Sequence, residues 1–169
     1  MTPFCNSTAY WFFPQAAEEN ELAFNSSVYI NLDNIHLVQG EGGEKKWELR
    51  AEKSKYFKDG KEIKVYRPTV SFYLKNSTQE LTMNAPLGIA SLDKSAVELQ
   101  NGVNATYQGG NLLADRMYYK EKEGKIVFRG GVTVNREDLS IKSERAGLDL
   151  EKKSLVFERN VEVFLRDPR

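Results

Sequence analysis

Residues Leu112 to Val134 read LLADRMYYKEKEGKIVFRGGVTV. Leu112 and Ala114, Ile126 and Phe128, and Val132 and Val134 fall at every second position. Such alternation places one row of side chains on one face of a β-strand. Glu123-Gly124-Lys125 has the composition of a turn between two strands, and Gly130-Gly131 interrupts the second strand in its middle. The same register recurs 29 residues downstream, from Ile141 to Val163 (IKSERAGLDLEKKSLVFERNVEV), and 29 residues upstream, from Met83 to Ala105 (MNAPLGIASLDKSAVELQNGVNA). No gap is needed. Ala85, Ala114 and Ser143 align, as do Val97, Ile126 and Leu155, then Leu99, Phe128 and Phe157, then Val103, Val132 and Val161. A looser fourth copy runs from Leu49 to Phe72, with Ala51, Ile63 and Val70 at similar places.

Each copy carries a break before its last strand: Asn101-Gly102, Gly130-Gly131 or Arg159-Asn160. Glycine and asparagine tolerate positive φ, so such a break re-aims a strand. A bend repeated at one register turns successive strands around the same corner. Stacked copies then form two sheets folded along a common crease, with the apolar rows between them.

Outside the repeat the alternation continues. Val28, Ile30 and Leu32, Ile35 and Leu37, and Trp47, Leu49 and Ala51 extend it towards the N-terminus. Val161, Val163 and Leu165 extend it to the last residues. The expected fold is all-β, with about a dozen short antiparallel strands and no significant helix. Residues 1–24 lack the pattern and read as an irregular arm with a short helix-like patch at Gln15–Leu22; residues 25–169 read as one β-domain.

Composition removes much chemistry. The 169 residues hold 24 Lys+Arg and 24 Asp+Glu, for zero net charge, which argues against a nucleic-acid partner needing clustered cations. One cysteine, Cys5, excludes an internal disulfide framework and a multi-Cys metal site; one histidine, His36, excludes a His-cluster metal site. His36 alternates out of an apolar strand and reads as a surface residue. No carboxylate pair stands out for acid–base work. Gly109-Gly110 and Gly130-Gly131 precede no helix, so no phosphate loop is implied. No catalytic residue, metal or cofactor is therefore expected. No apolar stretch approaches the roughly 20 residues of a membrane-spanning helix.

Trp47-Glu48-Leu49-Arg50-Ala51, then Arg67-Pro68-Thr69-Val70-Ser71-Phe72-Tyr73, then Ala146-Gly147-Leu148-Asp149-Leu150 with Asn160-Val161-Glu162-Val163 stand in an order and spacing that resembles a known family. It is the family of OstA-type periplasmic lipopolysaccharide-export proteins, and most closely LptC, over roughly residues 28–165. The resemblance implies a twisted, V-shaped antiparallel β-jellyroll whose apolar interior shields the acyl chains of lipopolysaccharide. It implies an inner-membrane tether at the N-terminus, absent from this sequence. It further implies transfer of lipid from an LptB/LptF/LptG-type ABC transporter to an LptA-like bridge protein.

On that resemblance the groove is expected to be lined by the inward rows. These are Leu49, Val70, Phe72, Met83, Leu99, Val103 and Ile126, followed by Phe128, Val132, Val134, Leu148, Phe157, Val161 and Val163. The C-terminal strand (Val161, Glu162, Val163, Phe164, Leu165) is the expected docking edge for the bridge protein, and Val28, Tyr29 and Ile30 the expected edge towards the transporter. Two alternatives remain open: a soluble LptA-like bridge protein, and a structural or adhesive β-repeat protein whose inner rows only fill a sealed core.

Overall fold

The computed structural model describes residues 8–12, 29–57, 61–75 and 78–166. Every regular element among them is a β-strand, and every pairing is antiparallel. Two long strands open the domain, β2 (Tyr29–Glu41) and β3 (Glu44–Phe57), with β1 (Thr8–Phe12) along the outer side of β2. Two further long strands lie near its end, β12 (Lys125–Asn135) and β13 (Leu139–Asp149).

The remaining strands are short and come in pairs, one member on each arm of the fold. The first arm holds β4 (Glu62–Tyr66), β7 (Leu87–Ser91), β8 (Ala96–Gln100), β11 (Arg116–Lys120) and β14 (Ser154–Glu158). The second holds β5 (Thr69–Tyr73), β6 (Glu80–Asn84), β9 (Val103–Tyr107), β10 (Gly110–Ala114) and β15 (Glu162–Leu165). The long strands belong to both arms. Residues 53–57 of β3 pair with β4 while residues 47–50 pair with β5. Residues 125–129 of β12 pair with β11 while residues 133–135 reach β10.

These double pairings close a ring. From β3 the ladder runs through β4, β7, β8 and β11 to β12, and returns through β10, β9, β6 and β5 to β3. A closed ring leaves no free edge within itself. Past β12 the ring is not repeated: β13 pairs with β14 on one arm and β15 on the other, and those two do not pair with each other.

The crease lies where the repeat placed it. Asn101 and Gly102 take φ of 68° and 101°, Gly130 and Gly131 82° and 69°, and Arg159 and Asn160 67° and 52°. At Gly130-Gly131 the β12–β13 register slips between Arg129 and Val132, which is a β-bulge that bends the strand without ending it. Backbone bonds stitch the corner, including Gly102 N–H to Asp115 O (3.0 Å), Asp115 N–H to Arg129 O (3.1 Å) and Glu144 N–H to Arg159 O (3.0 Å).

Residues 8–12 depart from the expected irregular arm. They form a strand matched to His36–Gly40. Aromatic residues favour a pleated surface, and an edge is available there, but a single five-residue segment shows no period to read. The rest of the arm, including the helix-like patch, lies outside the described residues.

The inner rows of both arms merge into one cluster. Trp47, Leu49, Ile63, Val65, Val70, Met83, Leu99, Met117 and Ile126 are fully buried in it. Tyr119 of the first arm meets Phe72 and Trp47 of the second edge-on, with ring centroids at 4.8 and 6.5 Å. Each large apolar side chain so buried contributes about 1.5–3 kcal/mol.

Candidate functional site: an apolar interior open at one end

The inward rows do not share one environment. Leu49, Val70, Phe72, Met83, Leu99, Val103, Ile126, Phe128 and Val132 lie inside the closed ring, each at most 2 % exposed. The small residues Ala51, Ala85, Ala105, Ala114, Ser143 and Ala146 are buried beside them. Val134, Leu148 and Phe157 are half-buried at the margin. Val161 and Val163 are exposed, at 45 % and 56 %.

The change follows from the pairing. Leu155 and Phe157 of β14 stand opposite Leu148 and Ala146, and Val163 and Leu165 of β15 stand opposite Ile141 and Leu139. Period two puts them all on the face that continues the interior. Among the described residues no strand beyond β13 closes the arms, and this face meets water. Leu155 is 38 % exposed and Leu165 81 %. Leu155, Ile141 and Leu165 thus join the open end although they were not among the expected groove residues. Their signal was the repeat itself, since Leu155 holds the place of the buried Val97 and Ile126.

The strand edges can also be located. β15 pairs with β13 alone among the described residues. Arg166 N–H bonds Asp138 O at 3.0 Å, and antiparallel pairs alternate, so Phe164 and Glu162 also face β13 with their amides. The amides of Val163 and Leu165 then point to the free side. At the other end, β1 covers only residues 36–40 of β2, which leaves Tyr29 and Ile30 uncovered by it. Val28 lies outside the described residues.

The outer face of the second arm carries a polar cluster instead. Glu48 accepts hydrogen bonds from Tyr73 Oη at 2.7 Å and pairs with His36 Nε2 at 2.8 Å. Partial burial pushes the Glu48 carboxyl up, but the bonds from Tyr73 and His36 and the Lys45 charge outweigh it and hold it at about 2. Burial and the same carboxylate push the Tyr73 hydroxyl up. His36 is therefore half-buried and paired rather than a plain surface residue. The cluster fixes β2, β3 and β5 together. Among the described residues no group of three or more His, Cys, Asp or Glu could hold a metal, and no helix is long and apolar enough to cross a membrane.

The family model for LptC, "Lipopolysaccharide-assembly, LptC-related", matches residues 6–166. The chain belongs to the LptC family. A solved structure is similar in fold: LptH of Pseudomonas aeruginosa, described as the LptA-homologous periplasmic component of the conserved lipopolysaccharide transport device. The two superpose with a TM-score of 0.57 over 72 % of this chain and 95 % of that one, at 8 % identity, a likeness of fold alone. No curated protein matches by sequence. LptC membership makes the chain a periplasmic component of lipopolysaccharide transport and not an enzyme.

Proposed function

We propose that this LptC-family chain covers the acyl chains of lipopolysaccharide with its inner apolar face and passes them from the inner-membrane ABC transporter to an LptA-like bridge protein. One observation carries the reading: the apolar row buried inside the ring continues onto β13, where Ile141 and Leu148 are half-buried, and onto β14 and β15, where Leu155, Val163 and Leu165 are exposed. An acyl chain in water costs about 0.8 kcal/mol per methylene, and an open apolar trough offsets that cost during transfer. Binding that is moderate at each position lets cargo move on. The open end receives a lipid directly, whereas Phe128 and Val132 meet one only when the arms part.

The bridge protein adds a strand to β15, using the free amides of Val163 and Leu165. The transporter meets the chain on the side of Tyr29 and Ile30, and an N-terminal helix tethers the full-length protein to the inner membrane. A photo-crosslinking amino acid at Phe157 or Val163 should capture lipopolysaccharide, with weaker capture from Phe128. Capture that is equal or greater from the outward positions Val156 and Phe164 of the same strands would overturn the trough. For the edge, Val163→Pro removes an amide that bonds nothing within β13–β15. It should abolish capture of the bridge protein while leaving the melting temperature nearly unchanged.

A further inference from the structure

The outer face of the first arm holds a feature that the trough does not use. Arg116, Arg129 and Arg145 stand directly opposite one another on β11, β12 and β13. Like charges in cross-strand positions are destabilising, so a row of three arginines works against the fold it sits on. One carboxylate answers the row directly: Arg145 Nη1 donates to Glu158 Oε2 at 3.0 Å. The Nε of Arg145 is buried and has no acceptor. Asp115 and Glu98 lie near Arg116 but make no ion pair with it within 4.0 Å.

Beside the row lies a shallow cavity of about 520 Å³, within the range of small-molecule sites. Ile89, Tyr118 and Val127 form its floor. Gly147 faces Val127 across the ladder, and nothing fills the space where its side chain would stand. The Tyr118 ring is held from two sides, with Arg129 Cζ 5.5 Å from its centroid and Arg116 Nη1 3.5 Å from its hydroxyl. Lys94, Lys120 and Lys125 line the far side. Glu62, Glu98 and Glu123 share the lining, so the balance there, with Arg129 and Arg145, is five cations to three carboxylates.

We infer that this saddle binds a phosphorylated sugar, with the phosphate on the arginine row and the sugar ring on Tyr118. Guanidinium groups present a planar fork that matches phosphate oxygens two at a time. An aromatic ring beside the fork offers the sugar's C–H face an apolar platform. A bare anion would not need the floor of Ile89 and Val127, and a neutral sugar would not need the two arginines that line the cavity, Arg129 and Arg145. The site is on the outside of the sheet and is independent of the trough.

The full chain, labelled for NMR, is titrated with glucose 1-phosphate, glucose and inorganic phosphate. Glucose 1-phosphate should give saturable shifts at the Nε–H groups of Arg129 and Arg145 and at Tyr118. Either half-ligand should bind at least tenfold more weakly. Arg129→Gln should weaken binding at least tenfold yet raise the melting temperature by about 1–3 °C, because it removes two like-charge pairs. Arg116→Gln, at the exposed end of the row, gives the same test should Arg129→Gln fold poorly. A parallel arm uses vesicles bearing a diphosphorylated glycolipid or its dephosphorylated form. Binding of the free sugar phosphate alone identifies a soluble ligand, and binding of the phosphorylated vesicle alone identifies a lipid headgroup; both support the site. Inorganic phosphate binding as well as the sugar phosphate, or shifts unchanged in both arginine variants, would overturn it. Lipid capture from Val163 is expected to be the same in Arg129→Gln, so this result and that of the trough stand apart.

Discussion

Gly130→Ala should be far more damaging than Gly131→Ala, although the two glycines are neighbours with similar positive φ. Both take positive φ, 82° and 69°, which costs an L-residue about 1–2 kcal/mol. They differ in what a methyl group would meet. At Gly130 it would sit 2.5 Å from Asp115 Oδ2, 2.6 Å from its Cβ and 2.8 Å from its Cγ; at Gly131 it meets nothing within 4 Å. The Asp115 backbone cannot retreat, because its amide bonds Arg129 O and Gly130 O and its carbonyl accepts from Gly102 N–H. Overpacking of this kind adds about 1–3 kcal/mol. The expected losses are therefore about 2–5 kcal/mol for Gly130→Ala and about 1–2 kcal/mol for Gly131→Ala. At about 2–4 °C per kcal/mol for a chain of this size, the first should melt roughly 4–20 °C lower and the second roughly 2–8 °C lower. Urea titration followed by circular dichroism checks both, and an unchanged slope would confirm that only stability moved. In the double variant with Asp115→Gly the colliding atoms are gone, so a coupling of about 1–3 kcal/mol should return. Equal losses at the two glycines, or no coupling, would refute the idea that the crease is held by this close approach.

Phe128→Ala, inside the ring at 1 % exposure, should cost about 3–5 kcal/mol, whereas Phe164→Ala, at 47 %, should cost under about 1 kcal/mol; thermal melts separate them. Folding lowers the Glu48 carboxyl from 4.5 to about 2, so its contribution is complete above about pH 5 and is lost as the pH falls towards 2. Tyr73→Phe removes one donor to that carboxylate and should cost about 1–2 kcal/mol at pH 7, with the difference shrinking below pH 4 in urea titrations; a constant difference down to pH 2 would refute it.

Much of the architecture was legible because it is local or periodic. Alternation assigned Val97, Leu99, Ile126 and Phe128 to the inner face, and the 29-residue spacing aligned Asn101-Gly102, Gly130-Gly131 and Arg159-Asn160 as one crease. The Thr8–Phe12 strand was not legible, since its reason for forming is the edge offered by His36–Gly40 and not a pattern of its own. The same holds for His36, whose pairing with Glu48 depends on β2 and β3 lying side by side.

By itself the sequence determined which side chains face inward and where each strand bends, because both follow from period two and from residues that tolerate positive φ. Only the tertiary structure decided which inward residues are sealed. Phe128 and Phe157 hold the same place in the repeat, yet one is buried by a ring closed through β3 and β12 and the other stands at the margin, past β13, where among the described residues no further strand closes the ring. Only the long-range register, likewise, brought Arg116, Arg129 and Arg145 into one row. Burial and cross-strand neighbours are properties of pairing between distant segments, and a repeat that is uniform in sequence does not specify where its own stacking stops.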